Sequence, residues 1–247
     1  MILKERFAVP AGAQRVEAPA GTFGAYLQNL PLYPTDRKVH YFDGREKFRS
    51  EVAAAVIRMD VGDRDLQQCA DAVMRLRAEY LFAAGRYADI SFEFTNGFPA
   101  PYAKWRAGNR IQVKGNQVSW YPVQRPSTSY ESFRKYLNMV FAYAGTISLR
   151  REMVPVQASS LQIGDVLIQA GSPGHAVIVV DKAVDEAQGG VYFMLVQSYM
   201  PAQDLHVLTN PNAAALSPWY EFKATEPIHT PEWNFEWVDL YRFTASN

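Results

Sequence analysis

The single cysteine of the chain, Cys69, is the first residue whose type suggests nucleophilic chemistry. The thiolate is the reactive form of cysteine, and the unpaired N–H groups at a helix N-terminus favour a negative charge. A thiol pKa of about 8.5 can fall to roughly 3.5–7.5 beside such a terminus or a protonated imidazole. We therefore expect Cys69 to be an activated thiol if a helix begins there. The alternative is a buried cysteine that serves as a small apolar core residue.

A thiol nucleophile needs a neighbouring base, and His175 is the best placed of the four histidines. It follows the turn at residues 171–174 and precedes the apolar run at 176–180, which predicts a position at the start of a β-strand. A strand end projects a side chain at a fixed angle, as a general base requires. The other histidines lie in an early strand or near proline-rich ends: His40, His206 and His229.

A third polar group is expected to hold the imidazole in one tautomer. Gln197 follows the apolar run at residues 191–196, and an antiparallel neighbouring strand would bring it to His175. Asp181 and Asp204 are the alternatives. Asp181 is at the far end of the predicted histidine strand, and Asp204 lies beyond a proline. The chain therefore offers the three residue types that thiol-dependent amide hydrolysis uses: a cysteine, a histidine and a polar orienting residue.

The segment that carries Cys69 has the periodicity of a helix. Apolar residues recur at steps of three and four from Leu66 to Leu81, which predicts one buried stripe that includes the cysteine. Asp65 is the predicted N-cap and Gly85 the predicted end. Cys69 would then lie in the first or second helical turn, where the N-terminal N–H groups act.

The rest of the chain predicts an α+β fold with helices packed on an antiparallel sheet, because helical segments come first and a strand meander follows. The turn pair at 115–116 predicts an extra hairpin. We expect one domain, 1–247, with a core at 60–200, an N-terminal wrap at 1–37 and a loop-rich segment at 201–247. The predicted strands lie at 39–42, 53–59, 166–168, 176–180, 191–196 and 237–243.

Three motifs support a family resemblance: Gln68-Cys69 opening a helix, Gly164-Asp165-Val166 leading a strand, and Gly174-His175-Ala176 followed by further apolar residues. This order resembles the papain-like peptidoglycan amidases and peptidases of the CHAP and NlpC types. The resemblance implies a papain-like fold, with a cysteine nucleophile, a histidine base and a polar residue on the next strand. The third family position maps best to Gln197.

A second resemblance extends over most of the chain. Residues 65–80, DLQQCADAVMRLRAEY, and 171–181, GSPGHAVIVVD, are similar to an uncharacterised bacterial family of domains of unknown function.

The chain departs from the NlpC pattern directly after the predicted nucleophile. In the NlpC type the nucleophile is followed by Ser-Gly, whereas Ala70 and Asp71 follow Cys69 here.

Further residues are candidates for contacts with a substrate. The Gln68 side chain could help to stabilise an oxyanion, and the turn before His175 would border the thiol. The loop at 96–102, which contains one glycine and two prolines, could overhang the cleft. Aromatic side chains could line a sugar-binding groove. The predicted substrate-binding residues are Gln68, Asn96, Tyr102, Trp105, Ser172 and Gly174.

The net charge of the chain narrows its possible partners. The 25 Lys and Arg residues balance the 25 Asp and Glu residues, so the net charge does not favour a nucleic-acid or anionic-membrane partner. The apolar runs fall short of the roughly 20 residues of a membrane-spanning helix, which predicts a soluble protein without a span. One cysteine excludes a disulfide framework and a multi-cysteine zinc site, and we expect no metal and no cofactor.

The sequence thus predicts a thiol-dependent amide hydrolase, with bacterial cell-wall peptide as the substrate that the resemblance implies. A thiol acyltransferase or thioesterase would use the same residues. A peptide- or carbohydrate-binding module on the same scaffold is the non-catalytic alternative. No secretory leader is recognised, so the compartment is the cell envelope if a leader has been removed and otherwise the cytoplasm. The oligomeric state is not indicated.

Overall fold

The fold was examined in a computed structural model that describes residues 1–123 and 125–244. The described helices are α1 (Leu3–Arg6), α2 (Phe23–Gln28), α3 (Cys69–Ala83), α4 (Tyr102–Arg106), α5 (Tyr130–Phe141) and α6 (Thr146–Arg151). The strands are β1 (Gln14–Arg15), β2 (Ala53–Val56), β3 (Ser91–Glu93), β4 (Pro99–Pro101), β5 (Asn109–Lys114), β6 (Gln117–Pro122), β7 (Met153–Pro155), β8 (Val166–Gln169), β9 (His175–Asp185), β10 (Gly190–Gln197), β11 (His206–Leu208), β12 (Tyr220–Glu221), β13 (Ile228–His229), β14 (Asn234–Phe235) and β15 (Leu240–Phe243).

One antiparallel sheet organises the described chain, in the order β2-β11-β10-β9-β8-β15-β7. β1 adds to β9, and β12 adds to β10. Separate two-stranded ladders are formed by β3 with β4, β5 with β6, and β13 with β14. The mixed α+β class and the antiparallel sheet predicted from the order of elements are confirmed, and so is the hairpin around residues 115–116.

The central strands are covered on both faces, which explains their continuous apolar runs. Along β9, Ala176, Ile178 and Val180 pack in one hydrophobic cluster together with residues of α3 and α5. The alternating Val177 and Val179 pack in a second cluster with residues of the C-terminal segment. The strand therefore lies between two layers, with the cysteine helix on one side and the C-terminal segment on the other.

The sheet extends beyond the predicted core of residues 60–200. β2 and β11 form one side of the sheet, and β15 lies between β8 and β7. Residues 39–42, predicted as a strand, form only isolated bridges, His40 with Glu46 and Tyr41 with Gln203. The backbone hydrogen bonds of this segment are divided between residues 45–47 and residues 202–204, so neither pairing continues as a ladder.

The N-terminal wrap is fixed to the sheet by a buried carboxylate. Asp181 of β9 accepts hydrogen bonds from Arg15 Nε at 2.9 Å and Gln28 Nε2 at 2.7 Å. Thr22 caps α2 by accepting from the Ala25 N–H at 3.2 Å. Because Asp181 has no exposed surface, these bonds replace its lost hydration and hold residues of the wrap against the sheet.

Candidate functional site

The cysteine helix begins at the cysteine itself. Gln68 is the N-cap of α3, and its N–H donates to Asp71 Oδ2 at 3.1 Å. Asp65, predicted as the cap, lies further out, where its Oδ1 accepts from Gln68 Nε2 at 3.0 Å and from the Ala202 N–H at 2.7 Å. Cys69 is therefore the first helical residue, so its own N–H has no partner within the helix.

Cys69 borders a surface cavity of about 330 Å³, although the residue is only 6% exposed. The walls come from the start of α3, the chain between α5 and α6, and the turn before β9. The lining residues are Asp65, Leu66, Gln68, Cys69, Ala70, Asp71, Phe141, Ala142, Ala144, Gly145, Thr146, Gly171, Ser172, Pro173, Gly174 and Met200. A molecule in this cavity would approach the sulfur from the helix N-terminus.

Burial raises the pKa of the Cys69 thiol to about 11, and the nearby Asp71 adds to the shift. A hydrogen bond from the Ala176 N–H acts in the opposite direction but is smaller. The lowered pKa expected from the helix N-terminus is therefore not what the surroundings produce, because desolvation of the thiolate outweighs the helix N–H groups. Cys69 shares its cavity wall with Gly174, the residue before His175, so the cysteine and the start of β9 border the same cavity.

His175 is the first residue of β9 and is 1% exposed. Its ring packs against Tyr199, Trp233 and Phe235, with centroid separations of 4.9, 5.3 and 5.9 Å. Burial lowers the pKa of His175 to about 4, opposed by its bond to Gln197 and assisted by the charge of Lys47. At neutral pH the site therefore holds a neutral thiol and a neutral imidazole.

Gln197, at the end of β10, is the polar residue that the fold brings to the histidine. Its Oε1 lies 2.8 Å from His175 Nε2. Asp181 is occupied by the N-terminal wrap, as described above. Asp204, the other alternative, accepts from Arg37 Nη2 at 3.0 Å and from the His40 N–H at 2.9 Å.

A buried polar network continues behind Gln197. Its Nε2 donates to Glu232 Oε2 at 2.7 Å and lies 3.3 Å from His206 Nε2. Lys47 Nζ lies 2.6 and 2.8 Å from the two oxygens of Glu232 and donates to Gln203 Oε1 at 2.8 Å. None of these partners was predicted from the sequence. No pattern in the sequence distinguishes Lys47 from other charged residues. His206 and Glu232 lie within the C-terminal segment, which was expected to be loop-rich.

Ser198 joins the cysteine helix to the glutamine strand. Its Oγ lies 3.0 Å from the carbonyl oxygen of Gln67 and 2.9 Å from that of Gln203. Gln67 is two residues before the thiol, and Ser198 directly follows Gln197. One buried hydroxyl thus holds the start of α3 against the end of β10.

The predicted substrate-binding residues fall into two groups. Gln68, Ser172 and Gly174 line the Cys69 cavity. The lining does not include the other three. Asn96 lies in the turn between β3 and β4, where its Oδ1 accepts from the Phe98 N–H at 3.0 Å.

Tyr102 and Trp105 belong to the aromatic core around α4 and α5. Tyr102 has no exposed surface and contacts the rings of Phe133 and Tyr136, at 5.4 and 5.0 Å between centroids. Trp105 Nε1 donates to Ser132 Oγ at 3.1 Å. Their packing explains the aromatic residues of this segment without any ligand.

Within residues 1–123 and 125–244, no group of three or more His, Cys, Asp and Glu side chains is arranged to hold a metal ion. Among the helices described in those ranges, none combines the length and apolar character needed to cross a membrane.

A family model described as Domain of unknown function (4846) matches residues 3–242. No curated protein matches the chain, and no solved structure matches it either.

Proposed function

The chain belongs to the family described as Domain of unknown function (4846), and from its site we propose that it is a thiol-dependent amide hydrolase. The observation that carries the proposal is the position of Cys69. It borders an open cavity together with Gly174, the residue that precedes His175. His175 is in turn bonded to Gln197. A nucleophile, a base and an orienting group in this order are what acyl transfer requires.

The reaction would start from the neutral pair. As the Cys69 sulfur bonds to the carbonyl carbon of an amide, its proton passes to His175, so that no free thiolate accumulates in the buried site. The oxyanion would be stabilised by the N–H of Cys69, which lacks an acceptor within the helix, with the Gln68 side chain as a second donor. His175 then gives the proton to the leaving amine, which departs and leaves a thioester.

Water completes the cycle. His175 takes a proton from a water molecule, whose oxygen attacks the thioester carbonyl and releases a carboxylic acid. The proton returns to the sulfur, which restores the neutral pair. A peptide is the proposed substrate, and the resemblance to CHAP and NlpC enzymes favours a bacterial cell-wall peptide. The same resemblance supports a papain-like description of the fold, because the cysteine opens a helix that packs on an antiparallel sheet.

Burial of the Cys69 thiol favours a second candidate function, that of a binding module. A cysteine that is 6% exposed, with a pKa raised to about 11, also suits a peptide- or carbohydrate-binding module in which the thiol is part of the wall. In such a module the cavity would bind a ligand without turnover.

The test is hydrolysis of peptidoglycan-derived peptides by the purified protein, followed by mass spectrometry. Cys69→Ala and His175→Ala should each abolish cleavage while unfolding remains cooperative. His229→Ala is the matched control, since this histidine is exposed and its ring bonds Asn234, and the variant should cleave like the wild type. Cleavage that survives in Cys69→Ala would exclude the mechanism. Binding of the peptides without cleavage by the wild type would favour the module.

A further inference from the structure

We propose that Glu232 is a positioning residue: it fixes the orientation of the Gln197 amide and thereby keeps the ring proton of His175 on Nε2. The inference rests on the proposed function for its catalytic meaning, since it describes how the base is prepared. The arrangement of protons that it describes is measurable without any substrate.

The two partners of Gln197 Nε2 require the same amide orientation. A carboxylate only accepts hydrogen bonds, so Glu232 Oε2, at 2.7 Å, must face the nitrogen of the amide rather than its oxygen. His206 Nδ1 lies 2.8 Å from the carbonyl oxygen of Asp204, which assigns the proton of that ring to Nδ1. His206 Nε2 is then an acceptor, and it also faces Gln197 Nε2.

The orientation of the amide determines the tautomer of His175. With its nitrogen turned to Glu232, Gln197 presents Oε1 to His175 Nε2 at 2.8 Å. An amide oxygen only accepts, so Nε2 of the imidazole must carry the proton. Nδ1 is left with a free lone pair, as a general base for the thiol requires. A reversed amide would offer an N–H to Nε2 and move the proton to Nδ1.

Glu232 itself is held in place by Lys47. The ammonium bonds both carboxylate oxygens, and the side chains are only 5% and 12% exposed. Gln203 Oε1 and the face of Tyr199, 5.3 Å from Nζ to the ring centroid, complete the surroundings of Lys47. The carboxylate therefore cannot turn away from Gln197 without breaking a buried ion pair.

The test is a long-range ¹H–¹⁵N correlation spectrum of the histidine rings at pH 7. In the wild type we expect His175 entirely as the Nε2–H tautomer. In Glu232→Ala the Gln197 amide loses its strongest acceptor, and a second set of His175 signals from the Nδ1–H tautomer should appear. Glu232→Gln should restore part of the wild-type pattern, because its amide oxygen can still accept from Gln197. Glu226→Ala removes an exposed, ion-paired glutamate of the same segment and should leave the His175 signals unchanged.

Two outcomes would overturn the inference. One is the Nδ1–H tautomer of His175 in the wild type, a result that needs no variant to fold. The other is an unchanged His175 tautomer in folded Glu232→Ala. The spectrum can be repeated in Cys69→Ala, where turnover plays no part, so failure of the hydrolase proposal and failure of this inference are separate results.

Discussion

Nε2 of His175 lies 2.8 Å from Oε1 of Gln197, in a part of the fold where both side chains are about 1% exposed. Because the Gln197 side chain is a neutral amide, this hydrogen bond orients the imidazole but places no full negative charge beside it. The carboxylate of Glu232 bonds the amide nitrogen of Gln197. The imidazole is therefore oriented, whereas burial keeps its pKa low.

Cys69 should react slowly with iodoacetamide at pH 7. A thiol pKa of about 11 leaves roughly one molecule in ten thousand as thiolate at that pH. The alkylation rate, followed by intact mass, should rise about tenfold per pH unit until the pH approaches that pKa. The same protein in guanidinium is the control and should be alkylated much faster at pH 7. Fast alkylation at pH 6 would instead indicate a preformed thiolate.

The rings of His175 and His206 should stay neutral down to about pH 5. Burial lowers their pKa values to about 4 and about 3, whereas in the unfolded chain each is about 6.5. Between pH 6.5 and 4 the unfolded chain therefore binds protons that the native protein does not. In this pH range, each ring should lower the free energy of unfolding by roughly 1 kcal/mol for every unit by which the pH falls. NMR titration of the rings checks the prediction.

The stability effect is best measured as a difference between variants. Glu152, with its pKa raised to about 8, and Asp71, also raised, bind protons in the native state and act in the opposite direction. The wild type should lose more stability than His206→Gln between pH 6.5 and 5 in urea unfolding. Equal losses would mean that His206 is already protonated in the native protein.

Gly174→Ala should destabilise the turn at the cavity. A Cβ at this position would lie 2.6 Å from Thr146 Oγ1, 2.7 Å from the Gly171 carbonyl and 2.8 Å from the Gln169 carbonyl. Two of these atoms are backbone, so relief requires a shift of the turn, at a cost of about 1–3 kcal/mol. Gly145→Ala is the control, because a Cβ there meets nothing within 4 Å. Urea unfolding of both variants provides the measurement, and equal stabilities would contradict the clash.

Arg15→Met should weaken attachment of the N-terminal wrap. The change leaves Asp181 buried without its charged partner, and removal of one member of a buried pair typically costs about 3–5 kcal/mol. Arg49→Met removes an exposed partner of Glu51 and should not change stability measurably. Thermal unfolding distinguishes the two. A wild-type melting temperature for Arg15→Met would show that the Arg15–Asp181 pair contributes nothing measurable to stability.

The sequence predicted those parts of the site that depend on local pattern. The apolar periodicity after Leu66 placed Cys69 near a helix start, and the polar end of the run at 191–196 singled out Gln197. Both signals lie within a few residues of the position that they describe. The direction of the Cys69 pKa shift depends instead on how deeply the helix start is buried, which no local pattern records.

The remaining partners come together only through long-range packing. Arg75 does not belong to the apolar series that predicts α3, yet it is 1% exposed and donates to Glu79 and Gln67. Lys47 meets Glu232 only because a loop next to the sheet reaches the turn between β13 and β14. Periodicity cannot reveal such pairs, since neither residue interrupts a regular pattern.

Lys47 and Glu232 are separated by 185 positions along the chain. While the protein is being synthesised, the carboxylate that orients Gln197 emerges from the ribosome long after the thiol and the imidazole have left it. A nascent chain that carries the first two groups therefore lacks the support that prepares the base. Gln197 can therefore be held in this orientation only after residue 232 has been synthesised and has packed against Lys47.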